Sequence, residues 1–230
     1  MAPPSAILES PSAERNKCPI WDVLSSKVLP LIQPVSRVLE IAAGCGVHTM
    51  HFATHLLSLS SSSTQGNFTW LPTDPDSACR ESINERTRTC RDVRIQRCVQ
   101  RAQSLTLNEQ GAIEDNNLWS ERNKYDLIVN INMIHISPWS ATIGLMHVGS
   151  QMLRDGGVLY CYGPYKENGT AVESNLAFDR SLRSRDSSWG VRDLEDVIRV
   201  AAKHGLVFKE KVEMPANNLS LIFIRKVQST

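Results

Sequence analysis

Apolar residues along the chain switch between two periods, and the switches mark out an α/β protein. Ile20, Val23, Leu24, Val28 and Leu31 share one face at helical spacing, which predicts an amphipathic helix over 20–31 that Pro30 and Pro34 end. The apolar run 38–41 reads as a strand. It breaks into Ala42-Ala43-Gly44-Cys45-Gly46, after which Val47, Met50, Ala53, Leu56 and Leu57 fall near a 3.6-residue period. A second strand is predicted at 68–71 and a third, from weaker alternation, at 93–99. Residues 125–136 carry the clearest buried strand, since a continuous apolar run is what a parallel strand covered on both faces needs. Its polar residues, Asn130, Asn132 and His135, gather toward the carboxyl end, where ligands of open α/β sheets bind. Ser137-Pro138-Trp139 opens a helix with Ile143, Met146, Val148 and Met152, and Asp155-Gly156-Gly157 turns into a strand at 158–161. A helix at 191–206 stopped by Gly205 and a hairpin of strands 206–208 and 219–224 complete the pattern.

Two stretches carry no such periodicity. Residues 1–18, rich in Pro, Ser and Ala, read as an arm ahead of one domain at 19–230, and the Ser-rich 58–66 reads as a surface insertion. The polar segment 166–190 spaces Asn175, Asp179 and Arg183 four apart, so a helix there puts all three on one face. Either a surface salt-bridge face or a polar lid over the strand ends fits that spacing.

Composition narrows the class. At 230 residues the chain suits a single α/β core, and a formal charge of +1 gives no electrostatic reason to expect nucleic acid. No run is apolar enough to span a bilayer and no signal pattern opens the chain, so no membrane partner is expected. The cysteines form no C-x-x-C pair and read as reduced thiols in a cytoplasmic protein. Homo-oligomerisation is left open.

The chemistry starts at the first turn. Strand, glycine-containing turn and helix open a nucleotide-binding unit: glycine permits φ > 0 and close approach, and the helix start offers unpaired N–H groups. Glu40 adds a negative charge that favours a cationic or amphoteric ligand over a pyrophosphate. The spacing acidic-x-small-x-Gly-x-Gly resembles motif I of the class I S-adenosylmethionine (SAM) methyltransferases, and Thr49 stands where a dinucleotide fingerprint has its third glycine. Asp74, after the second strand, suits the ribose hydroxyls of an adenosine ligand, because a carboxylate accepts two hydroxyl hydrogens; a turn-forming Asp beside Pro75 is the bland alternative. An acidic residue after the third strand is missing, which leaves Gln100 or Gln103 for the adenine. His135 reads either as a general base, with an ordinary pKa near 6.5, or as a hydrogen-bonded structural histidine. Tyr165, Asp179 and Arg183 are the other polar groups expected over the pocket. His48, His51 and His55 share a helix face, but nothing completes a zinc set and no metal is expected.

Further motifs tie the chain to one group. Glu14-Arg15-Asn16, Leu39-Glu40-Ile41 with Gly44 to His48, Asp74, INMIHI at 131–136, Tyr162-Gly163-Pro164, Ser174-Asn175 with Phe178-Asp179, Trp189-Gly190 with Arg192-Asp193, and MPANN at 214–218 resemble the methyltransferase-like protein 26 family over about residues 13–225. The resemblance implies a Rossmann-like fold with a seven-stranded mixed sheet, helices on both faces and the last strand antiparallel. It also implies a SAM pocket with Glu40, Gly44, Gly46 and Asp74 as contacts, and Asn130 or Asn132 near the methionine part; His48, just after the turn, is a further cofactor-binding candidate. Methyl transfer to a small-molecule acceptor, yielding S-adenosylhomocysteine, is the expected activity, with His135, Tyr165 and Asp179 as catalytic candidates. A repurposed fold acting as a cyclase or isomerase, or as a non-catalytic binding module, is the alternative. Ala42 stands where many class I enzymes have their first motif glycine.

Overall fold

The computed structural model describes residues 7–32, 34–59, 68–112 and 122–227. Helix α1 (Pro11–Val23) runs through a π-helical turn (Leu24–Val28) into α2 (Leu29–Ile32). The arm expected over 1–18 is therefore helical from Pro11 on. Its start is encoded locally: Ser10 accepts the Ala13 N–H and Pro11 takes the first helical position, where no N–H is needed.

The main sheet contains β1 (Arg37–Ile41), β2 (Thr69–Thr73), β5 (Tyr125–Ile131), β6 (Leu153–Gly163), β9 (Leu206–Met214) and β10 (Asn218–Arg225). Between these strands lie α3 (Val47–Leu59), α4 (Ser77–Thr89), α5 (Val93–Cys98), the short pair β3 (Leu107–Asn108) and β4 (Gly111–Ala112), and α6 (Trp139–Met152). After β6 come β7 (Tyr165–Lys166), α7 (Glu173–Arg185), β8 (Arg192–Asp193) and α8 (Leu194–Lys203). The strand order is β2-β1-β5-β6-β10-β9. The first four run parallel and β10 is antiparallel to both its neighbours.

Every residue of β5 is buried, and alternate side chains feed two cores. Ile128, Leu159 and Phe223 meet α6 and α8 on one face, while Leu127, Val129 and Tyr160 meet α1, α3 and α5 on the other. Each helix layer closes one side of the sheet, as the fully buried β5 requires. The final hairpin is as expected, though its strands are longer than the apolar pattern indicated. Its turn carries Ala216 and Asn217 at positive φ. The Ser-rich segment lies outside the described residues from 60 to 67.

The sheet has six main strands, not the expected seven. Residues 93–98 form helix α5, because Asp92 caps the Arg94 N–H and Ile95 and Cys98 bury one helical face. The chain at 99–103 then runs beside β2 through two isolated parallel bridges, Trp70 with Val99 and Thr73 with Gln103. Gln103 N–H bonds the Pro72 carbonyl there at 3.1 Å. Because the N–H and C=O of a strand residue face the same side, Pro72 has no donor to return, and the ladder fails at that edge.

Strands β2 and β5 flank β1 on opposite sides, so connections from β1 diverge at its carboxyl end. A crevice opens at such a switch point.

Candidate functional site

The turn after β1 crosses this crevice with Ala42, Gly44 and Gly46 at φ of 56°, 59° and 86°. Their glycines do different things. A Cβ on Gly44 would meet nothing within 4 Å, so this residue supplies only the left-handed backbone and an open approach to the cavity. A Cβ on Gly46 would come within 3.0 Å of the Ile83 side chain, so Gly46 lets α4 pack close, and it does not line the cavity. Ala42 adopts the same left-handed region with a Cβ, at a cost of about 1 kcal/mol.

A cavity of about 610 Å³ lies over this turn, within the range of small-molecule sites. Asp74, at the end of β2, is buried on its wall. One carboxylate oxygen accepts the Gly44 N–H at 2.8 Å and the other the Asp76 N–H at 2.9 Å, while burial raises its pKa above the usual carboxylate value. His48, on the first turn of α3, lines the same cavity and shares a 2.7 Å hydrogen bond with the Asn16 side chain. Burial lowers its pKa to about 4, so the ring is neutral. Cys45, Leu105, Thr106, Leu107, Met133 and Trp189 fill out the wall.

Glu40 is placed differently from its expected role. It is 2% exposed and points into the sheet core, accepting the Thr49 hydroxyl at 2.6 Å and the Trp70 indole N–H at 2.8 Å. It does not line the cavity. Burial first, and the Asp74 charge second, raise its pKa to about 7. Asn130 is likewise inside: its Nδ2 donates to the Ile41 carbonyl at 3.0 Å, tying β5 to β1, and its Oδ1 is buried without a partner among the described residues. Gln100 and Gln103 are exposed and lie off the cavity, which residues 105–107 line instead.

A second cavity, of about 720 Å³, adjoins the first, and Ser12, Asn132 and Ile136 line both. Asn132 marks the junction at φ 63°, with its N–H on the Tyr162 carbonyl at 2.8 Å. His135 lines the second cavity, edge-on to Phe178 with ring centroids 5.5 Å apart. Burial, helped by the positive charges of Arg192 and Arg185, lowers its pKa to about 4.

Tyr165 and Asp179 line neither cavity. Tyr165 belongs to the core between sheet and helices, its hydroxyl buried without a partner among the described residues. Asp179 holds Lys166 and Arg183, both at 3.1 Å, and accepts the Val191 N–H at 2.7 Å, stitching α7 to the chain before α8. The expected one-face spacing of Asn175, Asp179 and Arg183 does occur on α7. Only Asn175 of the three reaches a cavity, with its Nδ2 on the Asn217 carbonyl at 2.9 Å.

The sequence reading missed the N-terminal helix. Ser12, Arg15, Asn16 and Pro19 all line the second cavity, at the i, i+3, i+4, i+7 spacing of one helix face. The motif Glu14-Arg15-Asn16 was the available signal, masked by the Pro- and Ser-rich composition before it. The chain just ahead is pinned by Ser82 and Arg86, which hold the Leu8 backbone and also the Cys45 carbonyl of the β1 turn.

His51 and His55 lie edge to face at 4.4 Å, with Trp21 stacked on His55. Among the described residues no group of three His, Cys, Asp or Glu side chains is arranged to hold a metal, and no helix is long and apolar enough to cross a membrane.

This mixed sheet, with a cavity over the β1 turn, has the methyltransferase-like α/β fold. An O-methyltransferase family protein from Burkholderia thailandensis superposes with a TM-score of 0.69 at 12% identity, over 95% of this chain and 59% of that one. The CurJ carbon methyltransferase gives 0.61 at 19%, over 95% and 56%. A protein from Galdieria sulphuraria described as a sarcosine dimethylglycine methyltransferase gives 0.66 at 13%, over 96% and 92%. At such identities the likeness is one of fold, and the chain spans little more than half the length of the first two. By sequence, the chain belongs to the family described as "Protein of unknown function (DUF938)", whose family model matches residues 8–225.

Proposed function

We propose that this chain is a SAM-dependent methyltransferase acting on a small-molecule acceptor. The observation that carries the reading is the meeting of the two cavities at Asn132, at the carboxyl ends of the strands. The residues present suit the cofactor: an open left-handed glycine beside a buried carboxylate, with an apolar segment at 105–107 opposite. Asp74 would accept the ribose hydroxyls, residues 105–107 would flank the base, and His48, Ser12 and Asn132 would surround the methionine end. Bound S-adenosylmethionine would supply an electrophilic methyl group on a sulfonium centre, with S-adenosylhomocysteine as product. Glu40 has no contact role in this reading; it sets the geometry of the turn from behind.

The chain's own task is to bring an acceptor atom to the junction in line with that methyl and to hold its proton. His135 is neutral and lines the acceptor cavity, so it is proposed to accept the acceptor's O–H or N–H hydrogen bond and take the proton as the methyl moves. The segment 166–190 is proposed as a cover, with Asn175 and Phe178 over the acceptor cavity and Trp189 over the cofactor cavity. The finer resemblance to the methyltransferase-like protein 26 family supports the same reading, since its Arg15-Asn16, INMIHI, YGP and MPANN residues gather on the acceptor cavity. Free thiols at all six cysteines support a reducing, cytoplasmic setting.

Calorimetry with SAM and S-adenosylhomocysteine tests the cofactor site; no binding of either would turn the reading toward a repurposed fold. His135→Ala should lower turnover roughly 10²–10⁴-fold with cofactor affinity unchanged. Because His135 titrates at about 4 in the fold, activity that depends on it should be level from pH 6 to 8. A loss of activity below an apparent pKa near 6.5 would assign the step to another group.

A further inference from the structure

The wall that α1 gives the acceptor cavity carries a charge placed for a substrate. Ser12 stands at the junction with the cofactor cavity, and Arg15 lies one helical turn farther along the same face, about 5 Å by helix geometry. Arg15 makes no ion pair or hydrogen bond among the described residues, and its neighbours Glu14 and Lys17 pair with each other. Among the described residues it is the one formally charged side chain on the lining, and no carboxylate of theirs lines the cavity. His135 lines the same cavity, edge-on to Phe178. At the rim, Ile136 and Phe178 keep 42% and 37% of their surface exposed.

We propose, building on the methyltransferase reading, that the acceptor is a small organic anion. Arg15 holds its carboxylate or phosphate, its apolar body lies against Ile136 and Phe178, and its nucleophilic atom reaches Asn132. A guanidinium offers a fork of donors that matches either oxyanion, and a cavity free of carboxylates repels neither. An amine acceptor without an anionic group would meet Arg15 as a like charge, and a neutral one would leave the guanidinium unused.

The test uses the full chain and four probes of one shape: benzoate, phenyl phosphate, benzamide and benzylamine, each titrated by calorimetry. At least one anion should bind wild type more tightly than benzamide or benzylamine, and the tighter of the two identifies the headgroup. Arg15→Gln should weaken that anion roughly tenfold or more while leaving benzamide unchanged, as expected for a lost charge-assisted hydrogen bond. Arg15→Lys should restore part of the affinity, because charge remains without the fork. An unchanged melting temperature in both variants shows that folding is not the cause. The proposal is overturned if benzamide or benzylamine binds wild type as well as the anions do. It is equally overturned if Arg15→Gln keeps full anion affinity, or if neither anion binds at millimolar concentration. S-adenosylhomocysteine is titrated separately: failure there with the anion site intact removes the methyltransferase reading and leaves the anion site standing.

Discussion

The cofactor-side cavity takes its walls from a backbone turn and apolar side chains around one buried carboxylate, Asp74. The acceptor-side cavity is walled instead by amides, an imidazole and Arg15, drawn from five separated segments of chain. The turn and the carboxylate of the first come from β1, its turn and the end of β2, while Ser12, residues 105–107, Met133 and Trp189 close the wall around them. The second exists only once α1, the β5 end, the β6 end, α7 and the β9–β10 turn have all docked. The difference separates a frame from an assembly: the first cavity's buried carboxylate and open turn are carried by the sheet itself, and the second's polar groups are gathered by docking.

The largest expected effect breaks the first cavity and spares the second. Asp74→Ala removes the acceptor proposed for two ribose hydroxyls, each worth about 1.5–3 kcal/mol when the acceptor is charged, so on that reading S-adenosylhomocysteine affinity should fall roughly 10²-fold or more. It also strands the Gly44 and Asp76 N–H groups, and stability should fall by about 1–3 kcal/mol. Acceptor-site probes should bind as before. Calorimetry on both sites checks this, and an equal loss at the second would mean that the cavities are not independent.

What the sequence revealed follows the same division. The β1 turn and the ends of β2 and β5 were legible because periodicity and glycine spacing are local signals. The acceptor cavity was legible only as scattered motifs, since no spacing rule links Arg15 to Asn218. Two errors share a cause. Tyr165 sits near the strand ends in sequence but faces the core, because one residue's step along a chain leaving a strand reverses the side it points to, while Asp179 lies on α7 and turns to Lys166, Arg183 and the Val191 N–H. Glu40 was misread as a ligand contact for the same reason: its side chain points into the core between β1, Trp70 and Thr49. The expected third strand failed where Asp92 provides a helix cap, a cue that was present but outweighed by alternation.

A middle-sized effect tests whether Glu40 is part of the frame or of the site. Its folded pKa of about 7 lies above the ordinary 4.5, so the folded state holds a proton that the unfolded chain has released between those values. Stability therefore falls as pH rises from 4.5 through 7, by up to about 3 kcal/mol. His48 and His135, lowered to about 4, act in the opposite sense, losing stability as pH falls below 6.5. Glu40→Gln isolates the carboxylate, because the amide oxygen still accepts from Thr49 and Trp70 but does not titrate. Urea denaturation at pH 5 and pH 8 should find the variant's advantage over wild type larger at pH 8. The same advantage at both values would show that Glu40 is not the titrating group, and a loss of cofactor affinity would return it to the site.

The smallest effect concerns Tyr165, which the sequence pattern offered as catalytic and the fold places between sheet and helices. Its hydroxyl is buried with no hydrogen-bond partner among the described residues, and burial holds it protonated far above its usual range. An unpaired buried hydroxyl costs free energy, whereas the ring around it packs against the core formed with α6 and α8. Tyr165→Phe keeps the ring and deletes the cost, so stability should rise by about 1 kcal/mol or less, with turnover and both binding sites unchanged. A thermal melt beside a turnover assay is sufficient. A fall in both stability and turnover would mean that the hydroxyl has a partner when the cavities are filled. The core and the acceptor cavity would then be one connected polar system, and the division between a general frame and an assembled site would have to move inward to include β7.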